Sequence, residues 1–207
     1  VVTPSFLRML YLAIQGEERG LAVGKIYFEK GYEYYASNYS NAEKGKVIWF
    51  AGGTIDWPNL TAFHRGVDEV DRGQFDHFTE TEFATGCCML IKREVVEEVG
   101  ILDKRYFLYL EDLDYCLRAQ RKGYRTIFCP QSVIYHKNAG SSGGAGSEIH
   151  LYYQTRNRVF FFMRYARLKH KLTAIKFLLT KLVKGSSIER HAMIDLILGR
   201  MGKQPVV

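Results

Sequence analysis

The sequence has no CxxC pair, no run of eighteen apolar residues, no internal repeat and no glycine-rich phosphate loop, and each absence removes a class of protein. Its four cysteines are Cys87, Cys88, Cys116 and Cys129, two of them adjacent. Neither a tetrahedral zinc knuckle nor a secreted disulfide framework is expected from that spacing, and a reducing, cytosolic setting fits it. Without a long apolar run no spanning helix is expected, and the N-terminus lacks the basic-then-apolar order of a secretory leader. Gly140 to Gly146 has neither GxGxxG spacing nor a following Lys-Ser/Thr. No helix-turn-helix, RNP or zinc-finger pattern occurs, so nucleic acid is not an expected partner.

What is present is an ordinary globular composition. Of 207 residues, 47% are hydrophobic, 14% aromatic and 25% charged, enough for one domain with a proper core and an appendage. Disorder is thereby excluded. Lys and Arg number 29 against 22 acidic residues, a charge of +7 that expects an anionic partner such as lipid headgroups or nucleotide phosphates. The chain opens without Met, at Val1-Val2-Thr3-Pro4-Ser5-Phe6-Leu7, which reads as a loop entering a helix and suggests a fragment.

Phe6, Leu7, Leu10 and Ile14 recur at helical spacing; Leu21 to Tyr27 and Val47 to Phe50 read as strands. Residues 64 to 82 are too polar and glycine-broken for core and read as a functional loop. Thr85 to Ile91 reads as a buried strand entered through Gly86, and Arg93 to Val99 as a helix closed by Gly100. A second helix is expected from Asp112 to Lys122, closed by Gly123. Arg125 to Phe128 is a strand stopped by Pro130, and Val133 to Tyr135 another that delivers His136 to its end. Ile149 to Arg167 is an aromatic, basic helix. Leu172 to Val183 is a further helix, with Leu172, Ile175, Leu179 and Leu182 in one stripe.

Glu111-Asp112-Leu113-Asp114, approached through Tyr106 to Tyr109, puts three carboxylates at a helix start where they can enter a cleft. Successive helical residues point about 100° apart, so the three do not share one task. Acidic residues in a first turn also favour the macrodipole without any function. Asp114 and Arg118 have the i, i+4 spacing of an ion pair. His136, after an apolar strand, stands where a side chain can meet a ligand in an α/β sheet, although a lone histidine is more often structural.

Thr85-Gly86-Cys87-Cys88-Met89-Leu90-Ile91-Lys92-Arg93, Val99 to Asp103, Tyr106 to Arg118, Gly123-Tyr124, Pro130 and His136, taken in order, resemble the acceptor half of family 2 glycosyltransferases. Rhamnosyltransferase and galactofuranosyltransferase-like members are the nearest in look. The resemblance covers roughly residues 1 to 165, from Ile48 to Gly53 and Arg65 to Asp71 through to Tyr152-Tyr153-Gln154-Thr155-Arg156-Asn157. It implies an α/β, mixed-sheet GT-A-type acceptor half, followed by C-terminal amphipathic helices at 166–207 that suit a membrane surface. It implies an inverting transfer from a nucleotide-diphosphate sugar to a glycan or polyprenyl-linked acceptor, with rhamnose or galactofuranose as the sugar. Asp112 would be the general base and Glu111 the group beside it. A divalent cation, Mg2+ or Mn2+, would balance the leaving diphosphate, with His136 as a ligand.

Family members carry an Asp-x-Asp motif in a nucleotide-binding half, and none precedes Val1 here. The chain alone is therefore expected to be inactive. Arg156, one turn from Tyr152, is a candidate for the diphosphate, since guanidinium matches phosphate bidentately. Trp57 is a candidate to stack on an acceptor sugar, Gly86 to let substrate approach the backbone and Cys87 to line the cleft. The Gly/Ser-rich stretch from Asn138 to Ser147 is a candidate lid, with an inert connector as its alternative. The aromatic, basic tail suits an interfacial helix on anionic lipid, with a protein-packed helical pair as the other reading. A cytoplasmic protein, peripheral on the inner face of the plasma membrane, is expected. A non-catalytic carbohydrate-binding or partner-binding module is the rival functional class.

Overall fold

A computed structural model describes residues 1–137 and 146–205, in a mixed α/β architecture. The chain divides into two compact units. The first comprises Val1–Thr54, Phe63–Ile101 and Tyr115–Asn138; the second comprises Ile55–Ala62, Leu102–Asp114 and Ala139–Val207.

The first unit is built on β1 (Arg19–Phe28), whose Leu21, Ala22, Val23 and Ile26 are fully buried. So continuous an apolar run belongs to a strand flanked on both edges and covered on both faces. One edge of β1 takes β2 (Ile48–Phe50) and, further along, β6 (Met89–Ile91), both antiparallel. The other edge pairs in parallel with β7 (Arg125–His136), and β7 in turn carries the short β5 (Thr79–Glu80). Helix α1 (Phe6–Ala13) buries Leu10 and Ala13, and α2 (Arg93–Val99) ends at Gly100, whose φ of 84° suits glycine. The ribbon of β3 (Gly53–Asp56) and β4 (Thr61–His64) has its base in the first unit and its turn in the second.

Pro130 does not stop the strand. The β1–β7 register runs Gly24↔Cys129 and then Lys25↔Val133, so Pro130, Gln131 and Ser132 bulge out of the ladder and proline's missing N–H costs no pairing. Gly24 is required there, because a Cβ would lie 2.3 Å from the Ser132 carbonyl oxygen. The strand then resumes and places His136 opposite Phe28. The expected buried strand from Thr85 shrinks to the half-buried β6, since the Cys88 amide bonds back to Thr85 O at 3.1 Å and turns Gly86 and Cys87 outward.

Helix α3 (Glu111–Arg121) starts in the second unit and continues in the first. The rest of the second unit is helical: α4 (Glu148–Tyr165), α5 (Leu168–Lys184) and α6 (Ser187–Ile197). They enclose a core of Tyr152, Tyr153, Val159, Ile188, Ala192 and Met193, with Phe177, Leu178 and Leu182 packed on it. The division expected at residue 166 falls at the turn between α4 and α5, inside this unit. Most of the stretch read as a lid, 138 to 147, lies outside the described residues. No helix among the described residues is long and apolar enough to cross a membrane.

Candidate active site

The second unit carries Glu111, Asp112, Trp57, Tyr152 and Arg156; the first carries His136, Gly86 and Cys87. The backbone leading into α3 is strained. Phe107, Tyr109 and Leu110 adopt φ values of 63°, 68° and 71°, a region that side-chain-bearing residues rarely enter. Each such residue costs about 1–3 kcal/mol and persists only where its surroundings enforce it.

The enforcement comes from two neighbouring side chains on α4. Asn157 Nδ2 donates to the carbonyls of Tyr106 (3.0 Å), Leu108 (2.7 Å) and Tyr109 (3.0 Å). Arg156 donates to Arg105 O (3.1 Å), Tyr106 O (3.0 Å) and Gly202 O (2.9 Å), while its Nε orients the Asn157 amide oxygen at 3.0 Å. Both side chains are fully buried. The strained turn is thus held by hydrogen bonds to three of its own carbonyls, immediately before the carboxylates.

Those carboxylates fall into different environments. Asp114 is fully buried and accepts from Tyr165 Oη (2.5 Å), Arg164 (2.8 Å) and Tyr106 Oη (3.2 Å). It forms an ion pair with Arg164, and the Arg118 guanidinium donates to the carbonyls of Val99 (2.8 Å) and Ile101 (2.9 Å). Arg164 also grips Asp103 at 2.9 Å, which Arg105 grips too. Asp112 is half-buried, and one of its oxygens accepts from the Leu113 amide at 2.9 Å. Glu111 is half-buried with Oε2 sealed from solvent and no hydrogen-bond partner among the described residues. Burial, and then the Asp112 charge beside it, push its carboxyl up to about 7.

In the first unit, His136 packs at a tilt against Trp49, with centroids 4.6 Å apart, and His64 meets the same indole edge-on at 4.5 Å. The His64 Nδ1–H donates to the Trp49 carbonyl at 3.2 Å. Burial lowers both imidazoles, His64 to about 4, so both are neutral near pH 7. His136 Nδ1 is buried without a hydrogen-bond partner among the described residues. A neutral imidazole with an unpaired nitrogen can ligate, but among the described residues no three His, Cys, Asp or Glu side chains gather to hold a metal ion. These residues do not by themselves make a Mg2+ or Mn2+ site, whose ligands are chiefly oxygens.

The polar loop from 64 to 82 is pinned to β1. Lys25, only 2% exposed, reaches Asp71 at 2.7 Å and Asp76 at 2.6 Å, and Tyr27 donates its hydroxyl to Asp71. Burial pushes the Asp71 carboxyl up, but Lys25, Tyr27 and the Gly73 amide outweigh it and hold the group below its ordinary value.

Arg156 and Tyr152, expected at the diphosphate, are placed among protein partners. No part of Arg156 reaches solvent and its donors are engaged by carbonyls, while Tyr152 is buried and donates to Asp195 at 2.7 Å. In this arrangement both organise the fold and offer no donor to a diphosphate. Trp57 is half-buried, with its ring stacked on Phe161 at 6.2 Å and edge-on to Phe162 at 5.6 Å. Gly86 and Cys87 sit in an exposed turn. Asn157, Arg164 and Tyr165 are the residues that sequence reasoning missed; the signal was a polar Arg-Asn pair inside an aromatic helix.

An α/β chain that presents paired carboxylates behind a strained, clamped turn has the features of an enzyme. A family model described as "Glycosyltransferase like family 2" matches residues 2–159, and the chain belongs to that family. It is 36% identical over 59 residues to the N-acetylglucosaminyl-diphospho-decaprenol L-rhamnosyltransferase of Mycobacterium tuberculosis, covering 28% of this chain and 19% of that protein. It is 28% identical over 86 residues to the low-salt glycan biosynthesis hexosyltransferase Agl10 of Haloferax volcanii, covering 42% of this chain and 28% of that protein. The chain thus spans under a third of the length of either relative.

Proposed function

We propose that the chain is the acceptor-side part of an inverting glycosyltransferase acting in glycan biosynthesis. The donor is a nucleotide-diphosphate sugar, and the acceptor a hydroxyl of a glycan or polyprenyl-linked saccharide. Rhamnose is the sugar favoured by the name of the mycobacterial relative. Asp112 is the general base. The acceptor oxygen forms its bond to the anomeric carbon as the bond to the diphosphate oxygen breaks; the hydroxyl proton passes to Asp112 and the nucleoside diphosphate departs with the bonding pair.

The observation that carries this reading is the strained turn at Phe107, Tyr109 and Leu110, which delivers Glu111 and Asp112 to the start of α3. Strain of that kind collects where geometry serves chemistry. Glu111, whose carboxyl burial and the neighbouring Asp112 charge raise to about 7, stands beside Asp112 as a group that can hold a proton near neutral pH. The cation implied by the family resemblance would need oxygen ligands beyond those the described residues supply around His136.

The test is Asp112→Asn in the full-length protein. It should lower kcat by about 10²–10⁴-fold, the usual worth of a positioned base, with acceptor affinity kept. A variant retaining half the activity would overturn the assignment of the base. A wild-type protein that binds glycans yet transfers no sugar would favour a binding module.

A further inference from the structure

Helix α5 turns an apolar face away from its own core. Leu168 is 74% exposed, Leu172 60%, Ile175 42%, Leu179 55% and Val183 75%. At 100° per residue these five fall within an arc of about 80°. The rest of the helix is satisfied internally, with Ala174 fully buried and Phe177, Leu178 and Leu182, the last bordering the stripe, packed on the α4–α6 core. Five large apolar side chains aligned in water make a contiguous patch, and such patches on folded proteins mark contact surfaces.

The charges around the stripe select what covers it. The helix LKHKLTAIKFLLTKLVK contains Lys169, Lys171, Lys176, Lys181 and Lys184 and no acidic residue. Lys169 and Lys176 are exposed and project beside the stripe, about 100° and 80° round from Leu168. A second copy meeting this face would bring lysines against lysines. An anionic bilayer complements both parts of the surface, taking the apolar side chains at the acyl boundary and the ammonium groups at the phosphates. At 17 residues with five lysines, α5 is not long and apolar enough to cross a bilayer, which leaves an orientation in the interface plane as the one open to it.

The aromatic, basic helix α4 is a different matter. Its Tyr152, Tyr153, Arg156, Phe161 and Phe162 are buried, so it packs protein and does not face lipid. Leu182, counted in the stripe from sequence, also turns inward, and Leu168 and Val183 take its place outside.

We infer that α5 docks this protein on an anionic lipid surface through Leu168, Leu172, Ile175, Leu179 and Val183, with Lys169 and Lys176 on the headgroup phosphates. The inference stands on this surface alone and does not depend on the transfer chemistry. It is tested by co-sedimentation of the full 207-residue chain with vesicles, and no sugar transfer is measured. Binding is expected to vesicles containing phosphatidylglycerol and to be weak on pure phosphatidylcholine. Leu172→Gln with Leu179→Gln should lower the affinity more than about tenfold, because immersed apolar area sets the binding strength. Circular dichroism should show that variant still folded, since both side chains are exposed. Lys169→Gln with Lys176→Gln should lose about fivefold per lysine on anionic vesicles and blunt the salt dependence. A folded wild-type chain that ignores anionic vesicles overturns the proposal. So does binding that the double leucine variant leaves intact, or a wild-type dimer that this variant splits while lipid binding is unchanged.

Discussion

Asn157 and Leu108 are joined across 49 positions of sequence by a 2.7 Å hydrogen bond from a buried side-chain amide to a backbone carbonyl. The same amide serves Tyr106 and Tyr109, so one side chain on α4 fixes the entry to α3. The link from packing to chemistry runs through this contact. A loop that must hold three non-glycine residues at positive φ has an intrinsic tendency to relax, and relaxation would swing the carboxylates that follow it.

Replacing Asn157 with Ala leaves up to three carbonyls without that donor, each buried loss being worth about 1–3 kcal/mol before water compensates. Urea unfolding of Asn157→Ala should therefore show a loss of about 3 kcal/mol. The full-length variant assayed where it remains folded should show a larger fall in kcat than in acceptor affinity. A stability change under about 0.5 kcal/mol, the size of an ordinary surface substitution, would refute the clamp.

Glu111 gives a pH signature of unusual sign. Its carboxyl is raised from 4.5 to about 7 in the folded chain, so the folded state holds a proton that the unfolded state has released between those values. Stability should then decline as pH rises from about 4.5 to about 7, by a few kcal/mol at most. Glu111→Gln, which keeps the shape and removes the ionisation, should flatten that slope and make the variant the more stable of the two above pH 7. Denaturant midpoints measured across this range decide the matter, and parallel profiles for the two chains would exclude a raised Glu111.

Much of this architecture is legible in sequence because it is local. Gly100 and Gly123 mark the ends of α2 and the α3 turn by their need for positive φ, here 84° and 91°. The buried run of β1 announces an inner strand. What escaped was non-local or contrary to residue type. Pro130 looked like a stop because the bulge that tolerates it depends on Gly24 of another strand. Within the helical tail expected at 166–207, the start of α6 is written as the S-x-x-E of Ser186 and Glu189, which form a capping box. Arg156 is expected at a phosphate because a guanidinium matches phosphate oxygens bidentately, and its carbonyl partners some 50 positions away cannot be read locally. No propensity predicts positive φ at Phe107, Tyr109 and Leu110, since it is imposed by tertiary contacts.

Asp114 anchors the same helix from below the carboxylate pair. Its carboxylate is fully buried and accepts from two phenols and Arg164. Asp114→Asn removes the charge that balances Arg164, although Asp103 still holds that guanidinium at 2.9 Å. Breaking one side of a buried pair costs about 3–5 kcal/mol, and the Asp103 contact places the expected loss near the lower end. Thermal unfolding of Asp114→Asn together with the Arg164→Met, Asp114→Leu double variant separates ionic from steric causes. The double variant should recover part of the stability, and a double variant worse than the sum of its parts would deny the pairing.

Lys25 makes a comparable test in the first unit. Its ammonium, withdrawn from solvent on the central strand, is matched by Asp71 at 2.7 Å and Asp76 at 2.6 Å, and this triad ties the loop from 64 to 82 to β1. Lys25→Met fills similar volume but leaves the largely buried Asp71 with only the Tyr27 hydroxyl and the Gly73 amide. A loss of about 2–4 kcal/mol at pH 7 is expected, since one buried charge has lost its counterpart. The acid limb carries the sharper readout. In the wild type the depressed Asp71 carboxyl contributes stability above its ordinary value of 3.8 that disappears as pH falls through its folded value. Without Lys25 the folded carboxyl rises toward or above 3.8, so the variant should lose less stability than the wild type on acidification below pH 4. Equal acid slopes in the two proteins would show that Lys25 does not hold Asp71 ionised.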